Sequence, residues 1–312
     1  MDWAKLVQLT VDGTTLGAVY ALIALGYSMV YGILKLLNFA HGDVYMIGAF
    51  IGYFIYTALG APLTPSVSVV ALFLLMLGAA ALGCGLLGVG IERFGYRPLR
   101  NAPRIAPLIT ALGLSFLIQN SALLAFGAGF RNYDTFALDN GRLFSLGIHF
   151  HALNVSLMRG IVILAAAVLM VALTGFIRWT PLGKASRAVA ADREAAEMMG
   201  IDADRVIAWI FFIGSALAGI AGVLFGVLFQ NVFHYMGFVA GLKGFTAAVV
   251  GGIGSVPGAM LGGLFVGLAE SYAVGYLPQG STFEDLWVFF ILIAMMLLRP
   301  RGLFGQADVR RA

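Results

Sequence analysis

Long apolar runs with few or no charges alternate with short polar clusters along this 312-residue chain. Runs fill residues 13–34, 44–59, 67–91, 105–126, 155–177, 206–229, 243–276 and 283–298. A helix rising ~1.5 Å per residue needs roughly 20 apolar residues to cross ~30 Å of hydrocarbon, and most of these runs reach that length. They are uniformly apolar rather than alternating, and backbone in lipid must satisfy its own hydrogen bonds, so the pattern predicts helices and excludes a β-barrel. The expected fold is all-α, a polytopic membrane helix bundle of about 8 spans with broken or re-entrant helices. Two polar or glycine-rich interruptions stand out. NFAHGD places Asn38, His41, Gly42 and Asp43 ahead of the second run, and GGIGSVPG places Gly251, Gly252, Gly254, Ser255 and Pro257 inside the seventh.

Composition agrees: with 61% hydrophobic residues, 11% charged residues and a mean hydropathy of +0.94, the chain has too little polar surface to cover a soluble globule. The 41 glycines are heavy usage, as helices that pack closely in a membrane require. Cys84 is the one cysteine and lies in an apolar run, so no disulfide forms within the chain. The N-terminus lacks the basic lead of a signal peptide, and residues 13–34 read as a first span.

Charge orients the spans. Arg93, Arg97, Arg100 and Arg104 outweigh Glu92 after the third run, which places that loop on the cytosolic side by the positive-inside rule. Residues 127–153 mix Arg131, Arg142, Asp134 and Asp139 with His149 and His151 in near balance, as an external loop does. Residues 178–205 form a charged island holding ten charged residues, two spans beyond the first basic loop and therefore on the same face. Inside it, Asp192 is suited to cap a helix and Gly200 to end one, which predicts a short surface helix of about two turns. Arg299, Arg301, Arg310 and Arg311 put the C-terminus on that face too. A single crossing over 243–276 would put it outside, so this block crosses an even number of times or re-enters. The side of the N-terminus stays open, external if 44–59 is a full span and cytosolic if NFAHGD begins a re-entrant segment.

No enzyme constellation is present: there is no GxxxxGK[ST] phosphate loop, no HExxH and no Cys/His cluster with metal spacing, and Lys184 is followed by Ala185. No cofactor is implied, and ATP-driven transport would need another chain to bind the nucleotide. Acidic residues inside the spans are scarce, with Glu270 the main candidate and Asp43 beside a break, which weighs against an ion-coupled carrier. The net charge of +4 reads as loop bias rather than nucleic-acid binding. The two interruptions each precede a small-residue-rich helix, which suggests an internal repeat. Paired broken helices point to a translocation pathway, where a half-helix N-terminus is suited to face a substrate carboxylate. The simpler readings are a cap with a hydrogen bond for His41 and Asp43, and close helix packing for GGIGSVPG.

The island's EAAEMMG resembles the loop by which permeases of ABC importers dock on their ATPases. Together, YALIALGYSMVYGILKLLNFAHGDVYMIGAF, IERFGYRPLR, GKASRAVAADREAAEMMGIDADRV and GLKGFTAAVVGGIGSVPGAMLGGL resemble the permease subunit of high-affinity branched-chain amino acid ABC importers, from about residue 13 to 305. The resemblance implies a single transmembrane permease domain over 1–312 in the bacterial inner membrane, paired with a homologous second permease, two ATPase chains and a periplasmic binding protein. ATPase docking then falls on Arg187, Glu194, Ala195, Ala196 and Gly200 in the loop 178–205. The IxLP tail of other importers is absent after Gly200. A urea or short-amide permease is the alternative within this class, and an ion-coupled secondary carrier the alternative outside it.

Overall fold

The computed structural model describes residues 3–60, 69–100, 102–103, 105–133, 147–150 and 153–305. Pro62, Pro65, Arg104, Asp134, Asp139, Arg142, His151, Arg310 and Arg311 lie outside them. Its helices are α1 (Trp3–Leu34), α2 (His41–Ile55), α3 (Val69–Gly90), α4 (Ile105–Phe126), α5 (Leu157–Trp179), α6 (Pro181–Ala191), α7 (Arg193–Met198), α8 (Ala203–Phe229), α9 (Met236–Gly251), α10 (Val256–Tyr276) and α11 (Glu284–Leu298). π-helical turns extend α2 over Tyr56–Gly60 and α3 over Ile91–Tyr96. Short antiparallel strands pair β1 (Arg131–Asn132) with β4 (Asn231–Val232) and β2 (Gly147–Phe150) with β3 (Leu153–Ser156), Arg131 facing Val232 and Gly147 facing Ser156. They decorate the loops of a bundle that is otherwise helical.

Among the described residues, seven helices are long and apolar enough to cross a membrane. In α1 and α8 the most apolar stretch is 78% and 72% buried, against 22–28% in α3, α4 and α5, so the first two form the centre. The outer helices expose Leu74, Leu86, Ile109, Leu117, Leu164 and Val171, an apolar rim that only lipid or another apolar chain covers well. Three threonine hydroxyls of α1 are satisfied within the helix: Thr10, Thr14 and Thr15 donate to the carbonyls four residues back, at 2.7 Å each.

Contacts between helix ends define two faces. On one, Arg100 pairs with Asp204 at the start of α8, Gly32 near the end of α1 lies beside Gly254 before α10, and Leu303 N donates to Val250 O at the end of α9 (2.8 Å). On the other, Asp12 of α1 pairs with Arg159 at the start of α5, and β1 meets β4. The charged island and the tail after α11 share the first face. The N-terminal end of α1 lies on the second, the alternative in which the helix after NFAHGD crosses.

The seventh run also folds as two arms. Its first arm starts at Met236 rather than Lys243, because Gly237 and Gly241 lie against the backbone of Gly42 and continue the helix. α9 and α10 are then the two antiparallel arms of a hairpin, which is in keeping with an even number of crossings or a re-entrant arm. Seven long helices with the 16-residue α9 and 15-residue α11 stand against the eight or so spans expected.

Candidate functional site

The island folds as two helices where the sequence reading expects one. Thr180 caps α6, its Oγ accepting from Gly183 N at 3.1 Å, with Pro181 opening the first turn. Gly183, Ser186 and Val189 face the bundle while Lys184 is exposed on the other side, so α6 is anchored on one side. At Asp192 the backbone is extended, and its Oδ1 accepts from Ala195 N at 3.0 Å to start α7. Gly200, at φ +84°, ends it: Gly200 N donates to Glu197 O (3.0 Å) and Ile201 N to Ala196 O (3.1 Å).

Of the expected docking residues, Glu194, Ala195 and Gly200 are exposed on α7 and its end, while Ala196 faces the bundle. Beside them Met198 and Met199 are 88% and 83% exposed, two flexible apolar side chains on a helix fixed at both ends. Arg193 pairs with Glu197 within α7 at 2.8 Å and ties the helix to Asp204 of α8 at 3.4 Å. Arg187 sits apart on α6. It donates to Ile177 O and lines a cavity of about 380 Å³ with Ser28, Lys35, Gly254 and Val256.

The two interruptions lie at different depths. In the first, Lys35 takes φ +54°, and Asn38, His41, Gly42 and Asp43 are all buried. Ala40 occupies the cap position of α2 and makes no side-chain bond, so neither His41 nor Asp43 acts as the cap. His41 sits edge-on to Tyr27, ring centroids 4.7 Å apart, and Asp43 accepts from Ser115 and from Gln119 (2.9 Å) on α4. The second is the turn of the α9–α10 hairpin. Gly252 (φ +103°) and Gly254 (φ +89°) make the turn, Ser255 Oγ accepts from Gly258 N at 3.2 Å, and Pro257 lies in the first turn of α10. Gly251 packs on the Gly258 backbone, its carbonyl accepting from Phe304 N of the C-terminal tail at 3.0 Å. The end of α1 lies between the two, with Gly32 beside Gly254 and residues 35–40 leading into α2.

The family model described as "Branched-chain amino acid transport system / permease component" matches residues 9–298. The chain belongs to that permease family. It is 40% identical over 309 residues to the high-affinity branched-chain amino acid transport system permease protein LivH of Salmonella typhimurium, covering 98% of this chain and 97% of LivH. It is 40% identical over 306 residues to BraD of Pseudomonas aeruginosa, with 98% and 97% covered, and 27% identical over 315 residues to LivM of Salmonella typhimurium, with 94% and 69% covered. It is accordingly a multi-pass membrane protein.

Two polar clusters of the permease escape the sequence reading. Glu92, fully buried, accepts from Arg100 and lies 3.4 Å from Arg97 Nε, while Arg100 also pairs with Asp204. In the sequence these residues read only as a basic loop. Lys243, read as the start of an apolar run, lies 2.8 Å from Glu270 and 2.7 Å from Asp285, and Tyr20 donates to Glu270 at 3.3 Å. A lysine amid apolar helical sequence, with a glutamate in the next helix, is the signal that could have paired them.

Proposed function

We propose that this permease is the membrane-spanning subunit of an ATP-driven ABC importer that carries leucine, isoleucine and valine across the bacterial inner membrane by alternating access. The chain is a single permease domain, 1–312, whose loop 178–205 docks on ATPase subunits. Hydrolysis belongs to those two chains. A homologous second permease and a periplasmic binding protein complete the machine, and the match to LivM as well as LivH supports a pair of related permeases. The observation that carries the reading is α7: a capped helix whose outward side chains are Glu194, Ala195, Met198 and Met199, an apolar-tipped surface fit for a protein partner. Asn38, His41, Gly42 and Asp43, with the turn at Gly251, Gly252, Gly254, Ser255 and Pro257, are the pathway side of the mechanism. Asp43 and Glu270 are both engaged by neighbouring side chains, which supports ATP rather than ion coupling.

ATPase closure drives such a switch only by binding one state of the loop more tightly than the other. Uptake of labelled leucine in cells is expected to fall on ATP depletion and to survive collapse of the proton gradient while ATP persists. The reverse pattern would mean a secondary carrier, and urea uptake without leucine uptake would mean the amide reading. Within that assay, Gly200→Arg and Glu194→Lys are each expected to abolish most uptake while the protein still inserts. A side chain at φ +84° costs about 1–2 kcal/mol, enough to distort the end of α7. Normal uptake by both variants would sink the docking assignment.

A further inference from the structure

Between α7 and the first interruption runs a continuous polar chain that packing alone does not require. Arg193 of α7 meets Asp204 at 3.4 Å, and Asp204 pairs with Arg100 and lies 3.7 Å from Arg97. Arg100 pairs with Glu92, which sits on the π-helical turn Ile91–Tyr96. At the far end of the same turn Tyr96, 1% exposed, shares its one hydroxyl proton between Leu37 O (3.1 Å) and Asn38 Oδ1 (3.4 Å), at the interruption that leads into α2. One short turn thus carries Glu92, tied to the island, and Tyr96, tied to the break. π-turns are uncommon and concentrate at functional sites.

A second observation separates this chain from a simple staple. Glu92 Oε2, Arg100 Nε and Asn38 Nδ2 are buried and have no hydrogen-bond partner among the described residues. Buried polar atoms are nearly always paired, so three orphans along one chain call for an explanation. An alternative arrangement in which they exchange partners supplies it, and an alternating-access protein must have such an arrangement.

Resting on the importer reading above, the geometry points to the Ile91–Tyr96 turn as the rocker that carries movement of α7 to the first break. Glu92, Arg100 and Asp204 are positioning residues that read the island, and the Tyr96 hydroxyl is the positioning group that moves residues 37–38. When α7 shifts, the Arg193–Asp204–Arg100 chain pulls on Glu92. The turn then rotates as a unit, and Tyr96 passes the rotation to the backbone ahead of His41.

The test uses the whole importer in proteoliposomes, with leucine-loaded binding protein supplied outside the vesicles. Tyr96→Phe removes only a hydroxyl and keeps the ring against Phe211, centroids 5.3 Å apart. Leucine moved per ATP hydrolysed is expected to fall roughly tenfold, the upper scale of one lost buried hydrogen bond, while the ATPase still co-purifies and still hydrolyses. Glu92→Gln, which keeps shape and loses charge, should show the same split. Asn38→Ala added to Tyr96→Phe should lower the ratio little further, because the two residues share a bond. A ratio for Tyr96→Phe within twofold of wild type overturns the proposal. So does loss of bound ATPase in step with uptake, which would make the chain a staple. Wild-type uptake that ignores ATP would overturn the importer reading itself, and this inference with it.

Discussion

Gly267→Leu is expected to keep the permease from accumulating as a folded, monodisperse species. α1 and α10 pack antiparallel along a glycine seam: a Cβ at Gly267 would lie well under 3 Å from Gly17 N, Gly17 Cα and Gly13 O. The opposing atoms are backbone, so no rotamer change relieves the overlap and the helices must separate along their length. Overpacking a core costs about 1–3 kcal/mol where neighbours yield, and this seam belongs above that range. The seam also locks the α9–α10 hairpin to the central helix, so its opening would loosen the hairpin turn beside Gly32. Gly78→Leu is the matched control, since nothing lies within 4 Å of a Cβ there. Size-exclusion profiles of detergent-extracted fluorescent fusions decide the matter: the control should match wild type and Gly267→Leu should be aggregated or absent. A monodisperse Gly267→Leu would mean that the seam is looser than drawn.

What the sequence made legible follows from the physics of a membrane chain. Spans are announced by length and hydropathy, and α4, α5 and α8 fall close to where the apolar runs put them, while α1 begins ten residues ahead of its run. The cap and stop of α7 were legible because Asp192 and Gly200 act within one turn of themselves. Helix α6 was hidden because PLGKASRAVAA has only a narrow apolar stripe, and the start of α9 because glycines that read as breakers serve there as contact surface. The rocker at Ile91–Tyr96 and the Lys243 cluster were hidden for another reason: their partners are far along the chain. Glu92 meets Asp204 through Arg100, and Lys243 meets Glu270, separations that local periodicity does not encode.

Lys243→Met should destabilise the permease strongly, and pairing it with Glu270→Met should restore much of the loss. The Lys243 side chain is 6% exposed and Glu270 4%, and the ammonium is the main counter-charge of that carboxylate, with the Tyr20 hydroxyl as its other partner. Removing one member of a buried pair leaves an uncompensated charge, typically about 3–5 kcal/mol, whereas replacing both by apolar residues of similar volume is often near neutral. Glu284 and Asp285 also face Lys243; Glu284 is about half exposed, so water can take over there, whereas Asp285 Oδ1 is itself buried and keeps the double variant from recovering the whole loss. Thermal unfolding of the extracted protein should therefore show a drop on the order of 10 °C for Lys243→Met and a far smaller one for the double variant. A single variant as stable as wild type would mean that Glu270 is already neutral in the bundle. In that case α9 and α10 are held together by their glycine contacts, such as Gly262 on Ala247 and Gly251, and the cluster has a role other than stability.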